Sequence, residues 1–220
     1  MSYQIPRHKV FISYYHKDDQ DFKNHLIDLK EYNYNTYKWQ SIFDDYSVHE
    51  DEIDDTGLTS EHVRKIIRDE YIKEATVMIL LCGENTKTRK HIDWEIHAAM
   101  FNTDNNPKMG IIVVNLPSIS QACRKSDDTE KDIINPNGNW ISVKTRKEYE
   151  DLYPNIPIRI IDNFESGITD DTIVSITVVN WDRISNNIPA LKTLVNNAFN
   201  RSRSKELHYN HSRPLKGRNS

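Results

Sequence analysis

A chain of 220 residues and 25.9 kDa is long enough for one well-buried core with an appended extension. Its formal net charge of -4 and pI near 6.1 leave no overall cationic field for nucleic acid or for an anionic membrane surface. The 2 cysteines, Cys82 in an apolar run and Cys123 in a polar stretch, have neither zinc-site spacing nor the look of a disulfide framework, which suits a reducing compartment.

From Lys9 to Leu116 short β-branched runs alternate with segments of helical period, the pattern of βαβ units and a parallel sheet. Residues 9–13 (KVFIS) read as the first strand. Asp18 or Asp19 then caps a helix with Phe22, Leu26 and Leu29 on one face. A second strand is expected around 41–44, followed by a long acidic loop, 45–57, too polar to be buried. Thr59 or Ser60 caps the next helix, striped by Val63, Ile66, Ile67 and Tyr71.

Residues 75–82 (ATVMILLC) form a continuous apolar run suited to a parallel strand covered on both faces, hence central. A loop, 83–90, leads to a helix over 91–101 in which Ile92, Ile96 and Ala99 share a face, and 109–116 is the next buried strand. Residues 118–139, rich in charge, Asn and Pro, read as an exposed excursion. Residues 156–161 (IPIRII) are expected to add an edge strand that tolerates Pro157. Pro189 suits the first turn of a last helix carrying Leu191, Leu194, Val195 and Ala198. The division expected is a domain over 1–200 and a basic mobile tail over 201–220. Charge runs at a terminus are most often solvated, so the tail reads as solvated rather than as a nucleic-acid contact. The N-terminus lacks an apolar signal core and no apolar run is long enough to span a bilayer, so the expected location is cytoplasmic, with no membrane partner.

In an open parallel sheet ligands collect outside the carboxyl ends of the strands. Here those exits are polar: Ser13, Tyr14, Tyr15 and His16 after the first strand, Asp44 and Asp45 after the second, Gly83 and Glu84 after the third. None matches a Gly-rich phosphate-cradling loop.

Phe11-Ile12-Ser13-Tyr14 resembles the opening motif of TIR domains, and Ile42-Phe43-Asp44-Asp45 with a following loop containing Gly57 resembles their second strand and BB loop. An apolar strand, a polar loop and then Asp93-Trp94-Glu95-Ile96 resemble the segment that carries the catalytic glutamate of TIR enzymes. The likeness is closest to the TIR-like branch that includes the sensor subunit of the bacterial Thoeris antiphage system. It implies an α/β, flavodoxin-like three-layer sandwich around a mainly parallel five-stranded sheet. It also implies NAD as substrate rather than cofactor, with a cyclic ADP-ribose isomer as a signal to a separate effector protein, and a homo-oligomer as the active form. Two features depart from the commoner TIR pattern: Gly83-Glu84-Asn85 stands where Ser is usual, and the acidic loop is long.

Breaking the nicotinamide-ribose bond expels a neutral leaving group, so one carboxylate suffices to hold the ribose and stabilise the oxocarbenium-like charge. Glu95, in the first turns of its helix beside the apolar stripe, is the catalytic candidate, and Glu84 is its rival at the end of the central strand. Ser13, Tyr14, Tyr15, His16, Asp44 and Asp45 are substrate-binding candidates, and Trp94 either stacks on a ring of the substrate or packs its helix. No metal site is expected on this reading. Two alternatives stand beside it: a non-enzymatic TIR-like adaptor, and a receiver-like phosphotransfer domain holding magnesium on Asp18, Asp19, Asp44 and Asp45.

Overall fold

A computed structural model describes residues 8–34, 38–47, 59, 62, 65–67, 69, 72–102, 107–138, 140, 143, 145–165 and 176–216. Most of the acidic loop, including Gly57, lies outside the described residues, as do Ser60, Val63 and Tyr71 of the helix expected after it. At that helix's start the Thr59 hydroxyl accepts the His62 backbone N–H at 3.2 Å, and Ile67 is fully buried.

The strands are β1 (His8–Ser13), β2 (Glu31–Tyr34), β3 (Lys38–Ser41), β4 (Phe43–Asp45), β5 (Val77–Cys82), β6 (Gly110–Asn115) and β7 (Ile176–Asn180). Five of them form one sheet in the order β4-β1-β5-β6-β7, every pair parallel. This is the flavodoxin-like order, with β5 in the middle. A separate antiparallel ribbon, β2 with β3, sets Glu31 opposite Ser41 and was not legible beforehand.

The helices are α1 (His16–Lys30), α2 (Lys90–Met100), α3 (Lys131–Ile134), α4 (Arg146–Leu152), α5 (Ile158–Glu165), α6 (Trp181–Ile184) and α7 (Ile188–Arg203). Strand side chains alternate between faces, so β5 sends Met78, Leu80 and Cys82 into one core and Val77, Ile79 and Leu81 into the other. The first core is closed by Ile96 and Ala99 of α2 and by Ile160 and Phe164 of α5; the second by Leu26 of α1 and by Leu191, Leu194 and Val195 of α7. Each such side chain taken from water contributes about 1.5–3 kcal/mol, which is why a strand as apolar as β5 belongs between two helical layers. At Gly110 the sheet meets α7 closely, since a Cβ there would lie 1.9 Å from the Ala198 backbone oxygen. At the other end of α7, Pro189 occupies the first turn and the Asn187 side chain accepts the Ala190 N–H at 3.1 Å.

Four expectations need correction. Residues 156–161 are not an edge strand: α5 runs from Ile158 to Glu165, with the Pro157 carbonyl accepting the Ile160 N–H at 2.9 Å. Ile160, Ile161 and Phe164 follow a helical period, all are buried, and Pro157 sits just ahead of a first turn that has no use for its missing N–H. The fifth strand is β7 instead. The helix of Phe22, Leu26 and Leu29 begins at His16, so Asp18 and Asp19 lie within its first turn and do not cap it. The excursion over 118–139 is not wholly exposed, because Arg124 bridges antiparallel to Val178 along the outer edge of β7, and Glu130 and Ile134 are buried. The expected mobile tail over 201–220 is packed where it is described: Arg201 belongs to α7 and pairs with buried Glu130 at 2.6 Å, Leu207 and Tyr209 are buried, and the Tyr209 hydroxyl donates to the Met109 carbonyl at 2.8 Å. Scattered apolar residues without period hold this stretch, which is why periodicity failed to find it. Among the described residues no helix is long and apolar enough to cross a membrane.

Candidate active site at the carboxyl edge of the sheet

β1 and β5 are neighbours, yet β1 leads the chain toward β4 on one side while β5 leads it toward β6 on the other. Their carboxyl ends therefore bound a crevice at the point where the winding reverses, the usual ligand position in such sheets. Ser13 ends β1 there, almost fully buried, and its hydroxyl donates to Glu95 Oε2 at 2.6 Å. Glu95 itself is half-buried on α2, flanked by the fully packed Trp94 and Ile96. A strand end and a helix distant in sequence thus fix one carboxylate at the crevice.

The loops on either side interlock. The Arg89 guanidinium lies 3.7 Å above the Tyr15 ring, and the Asn85 side-chain amide donates to Asp18 at 2.7 Å. Tyr14 is buried, stacks on His16 with ring centroids 4.2 Å apart, and donates its hydroxyl to Gln20 at 2.9 Å. Tyr14 and His16 therefore brace the loop, while half-buried Tyr15 lies between that loop and the start of α2. After β5 the Thr86 hydroxyl accepts the Gly83 N–H at 2.9 Å and closes a turn that leaves Glu84 exposed.

Asp44 and Asp45, at the end of β4, are half-buried one strand away from Ser13. Asp45 accepts the Ser47 N–H at 3.0 Å and lies 3.6 Å from Lys23 Nζ, so its carboxylate serves its own turn. Trp94 is 1% exposed and donates its indole N–H to the Lys216 carbonyl at 2.9 Å. It packs in the core beside Ile96 and Ala99.

Asp19 is the residue that reading by motif undervalued. It is 4% exposed on α1 and reaches the end of β5, where a Cβ on Gly83 would stand 2.9 Å from its Oδ1. Burial pushes its carboxyl up to about 6, partly offset by a hydrogen bond from the Tyr15 backbone, with the Asp18 charge adding to the rise. Only the closure of α1 onto the sheet reveals this; no spacing in the sequence signals it. Among the described residues no group of three or more His, Cys, Asp or Glu side chains is arranged to hold a metal ion, and the four-aspartate magnesium arrangement does not form, since Asp18 and Asp45 are turned to other partners.

Residues 11–121, just over half of the 220, match the family model described as Thoeris protein ThsB, TIR-like domain. The chain belongs to that family. It is thus a TIR-like protein of an antiphage defence system, and the matched stretch carries Ser13, Asp19, Asp44, Asp45, Glu84 and Glu95. The part of this Thoeris TIR-like chain that supplies β7, α7 and the segment packed on Trp94 lies beyond the match. No curated protein and no solved structure matches it.

Proposed function

We propose that this Thoeris TIR-like protein cleaves the nicotinamide-ribose bond of NAD at Glu95, in the cytoplasm, and releases a cyclic ADP-ribose isomer that signals to a separate effector protein. The observation that carries the reading is the Ser13–Glu95 hydrogen bond at the β1/β5 crevice. It holds one carboxylate in a defined pose where a dinucleotide bound at the strand ends would present its ribose.

The chemistry asks little more of the protein. Nicotinamide leaves as a neutral base with the bonding electron pair, and positive charge develops on the ribosyl C1′ and ring oxygen. A fixed carboxylate opposes that charge, and a donor that keeps the carboxylate from turning, here Ser13, reduces the reorganisation needed in the transition state. If a nucleophile on the substrate itself reaches C1′ first and loses its proton, the product is cyclic; if water does, it is ADP-ribose. Folding the dinucleotide back and excluding water favour ring closure, and a neighbouring subunit completing the site would supply both.

The test is incubation of purified protein with NAD, with and without EDTA, across protein concentration. Nicotinamide release insensitive to EDTA, rising faster than linearly with protein, is expected, with a co-product one water lighter than ADP-ribose by mass. Glu95→Gln keeps size and hydrogen bonding and abolishes release, while Glu84→Gln leaves it intact. Turnover that survives Glu95→Gln and fails in Glu84→Gln moves the site to Glu84. Silence at every concentration and with every trigger favours the adaptor.

A further inference from the structure

Beyond the carboxyl end of β7, away from Ser13 and Glu95 in the sheet order, lies a second cavity of about 580 Å³. Its wall includes Arg124, Lys125, Trp140, Tyr153, Asp182 and Arg183. The volume falls within the range of small-molecule sites, about 300–1,000 Å³, and the position follows the same strand-end rule as the first crevice.

Two of its wall residues carry buried N–H groups, Arg124 Nε and Trp140 Nε1, that have no hydrogen-bond acceptor among the described residues. Buried donors are ordinarily satisfied, so a pair of them on one cavity calls for an acceptor-rich occupant. The charges agree. Lys125 shares its charge with Asp128, which leaves Arg124 and Arg183 against the single carboxylate of Asp182 on the wall. Arg124 is also held rigidly: its backbone exchanges hydrogen bonds of 2.9 and 2.8 Å with Val178, and its guanidinium lies 4.7 Å from the Phe164 ring centroid. A preformed cation with an unmatched donor recognises phosphate oxygens, and the Trp140 and Tyr153 rings supply flat apolar walls. Arg124, Lys125, Trp140 and Arg183 all follow the matched residues 11–121, so the charges and the indole ring of this cavity come from the part of the chain that the family description does not reach.

We propose that this cavity is a second binding site, for a ligand of the nucleoside diphosphate class, its pyrophosphate on Arg124 and Arg183 and its base against Trp140. The inference stands apart from the Glu95 chemistry, and its readout is binding rather than turnover.

Isothermal titration of the full chain with ADP, adenosine and inorganic pyrophosphate tests it. ADP is expected to bind at least about tenfold more tightly than either fragment. Arg183→Gln and Trp140→Phe, which remove a charge and one N–H, should each weaken ADP by about fivefold or more, while Glu95→Gln leaves it unchanged. No ADP binding overturns the proposal, as does binding lost in Glu95→Gln and kept in the cavity variants. Pyrophosphate binding as tightly as ADP overturns it too, because a bare anion site would remain. Should Trp140→Phe fail to fold, the half-buried Arg183 decides alone.

Discussion

The Asp19 carboxylate fills the space that any side chain at position 83 would need: a Cβ on Gly83 would lie 2.9 Å from Oδ1, 3.2 Å from Oδ2 and 3.4 Å from Cγ. The glycine and the buried aspartate are thus two halves of one arrangement. Asp19 is 4% exposed and has little room to swing away. Gly83→Ala is therefore expected to destabilise by about 1–3 kcal/mol, the range for overpacking a filled site. Asp19→Ala should restore most of that loss in the double variant, measured by urea denaturation. Additive effects of the two changes would mean that the contact does not limit the site.

Stability should also depend on pH through the same aspartate. Its carboxyl rises from 3.8 to about 6 on folding, chiefly by burial, so the folded chain holds that proton more tightly than the unfolded one. Its contribution is fully present below pH 3.8 and is lost as pH rises through 6. Asp19→Asn, which cannot ionise, should flatten that part of the curve of denaturation midpoint against pH and be the more stable form at neutral pH. An unchanged slope would show that Asp19 titrates normally.

Ser13→Ala removes the donor that holds Glu95 at 2.6 Å while leaving the strand end packed. A hydrogen bond to a charged group is worth about 1.5–3 kcal/mol, so kcat for NAD cleavage should fall roughly ten- to a hundredfold. KM should change less, and the melting temperature should stay within a few degrees. Full activity in this variant would separate Ser13 from catalysis.

Trp94 and Asp93 tie the helix of Glu95 to the C-terminal segment. Asp93 forms a bidentate pair with buried Arg159 at 2.8 and 2.9 Å and accepts the Lys216 N–H at 3.0 Å, while Arg159 donates to the carbonyls of Arg213 and Pro214. Removing one partner strands a buried charge, so Arg159→Leu is expected to cost about 3–5 kcal/mol and the double change Asp93→Leu/Arg159→Leu distinctly less. Trp94→Phe loses the N–H to Lys216 and part of a buried ring, and should lower stability by about 1–3 kcal/mol with KM for NAD unchanged. A raised KM in that variant would return Trp94 to the substrate.

What the sequence determined by itself is the parallel core and the helix that carries Glu95. Continuous apolar runs such as 75–82 have one low-energy home, a strand covered on both faces, and Pro189 has one, a first helical turn. The order of motifs from Phe11 to Ile96 pointed to Glu95 because strand-end loops and the following helix are local features. Tertiary structure decided the rest. The run IPIRII fits a strand or a helix in isolation, and it became α5 because Ile160, Ile161 and Phe164 bury together on the face that α2 shares, while Ile176–Asn180 took the sheet edge. Trp94 went into the core, and Asp19 to the end of β5, for one reason: burial depends on what packs over a residue, and the cover of Trp94 comes from as far away as Lys216, 122 positions along the chain. Local pattern encodes which residues seek the interior, but the partners that close over a polar side chain are chosen only when the whole chain folds.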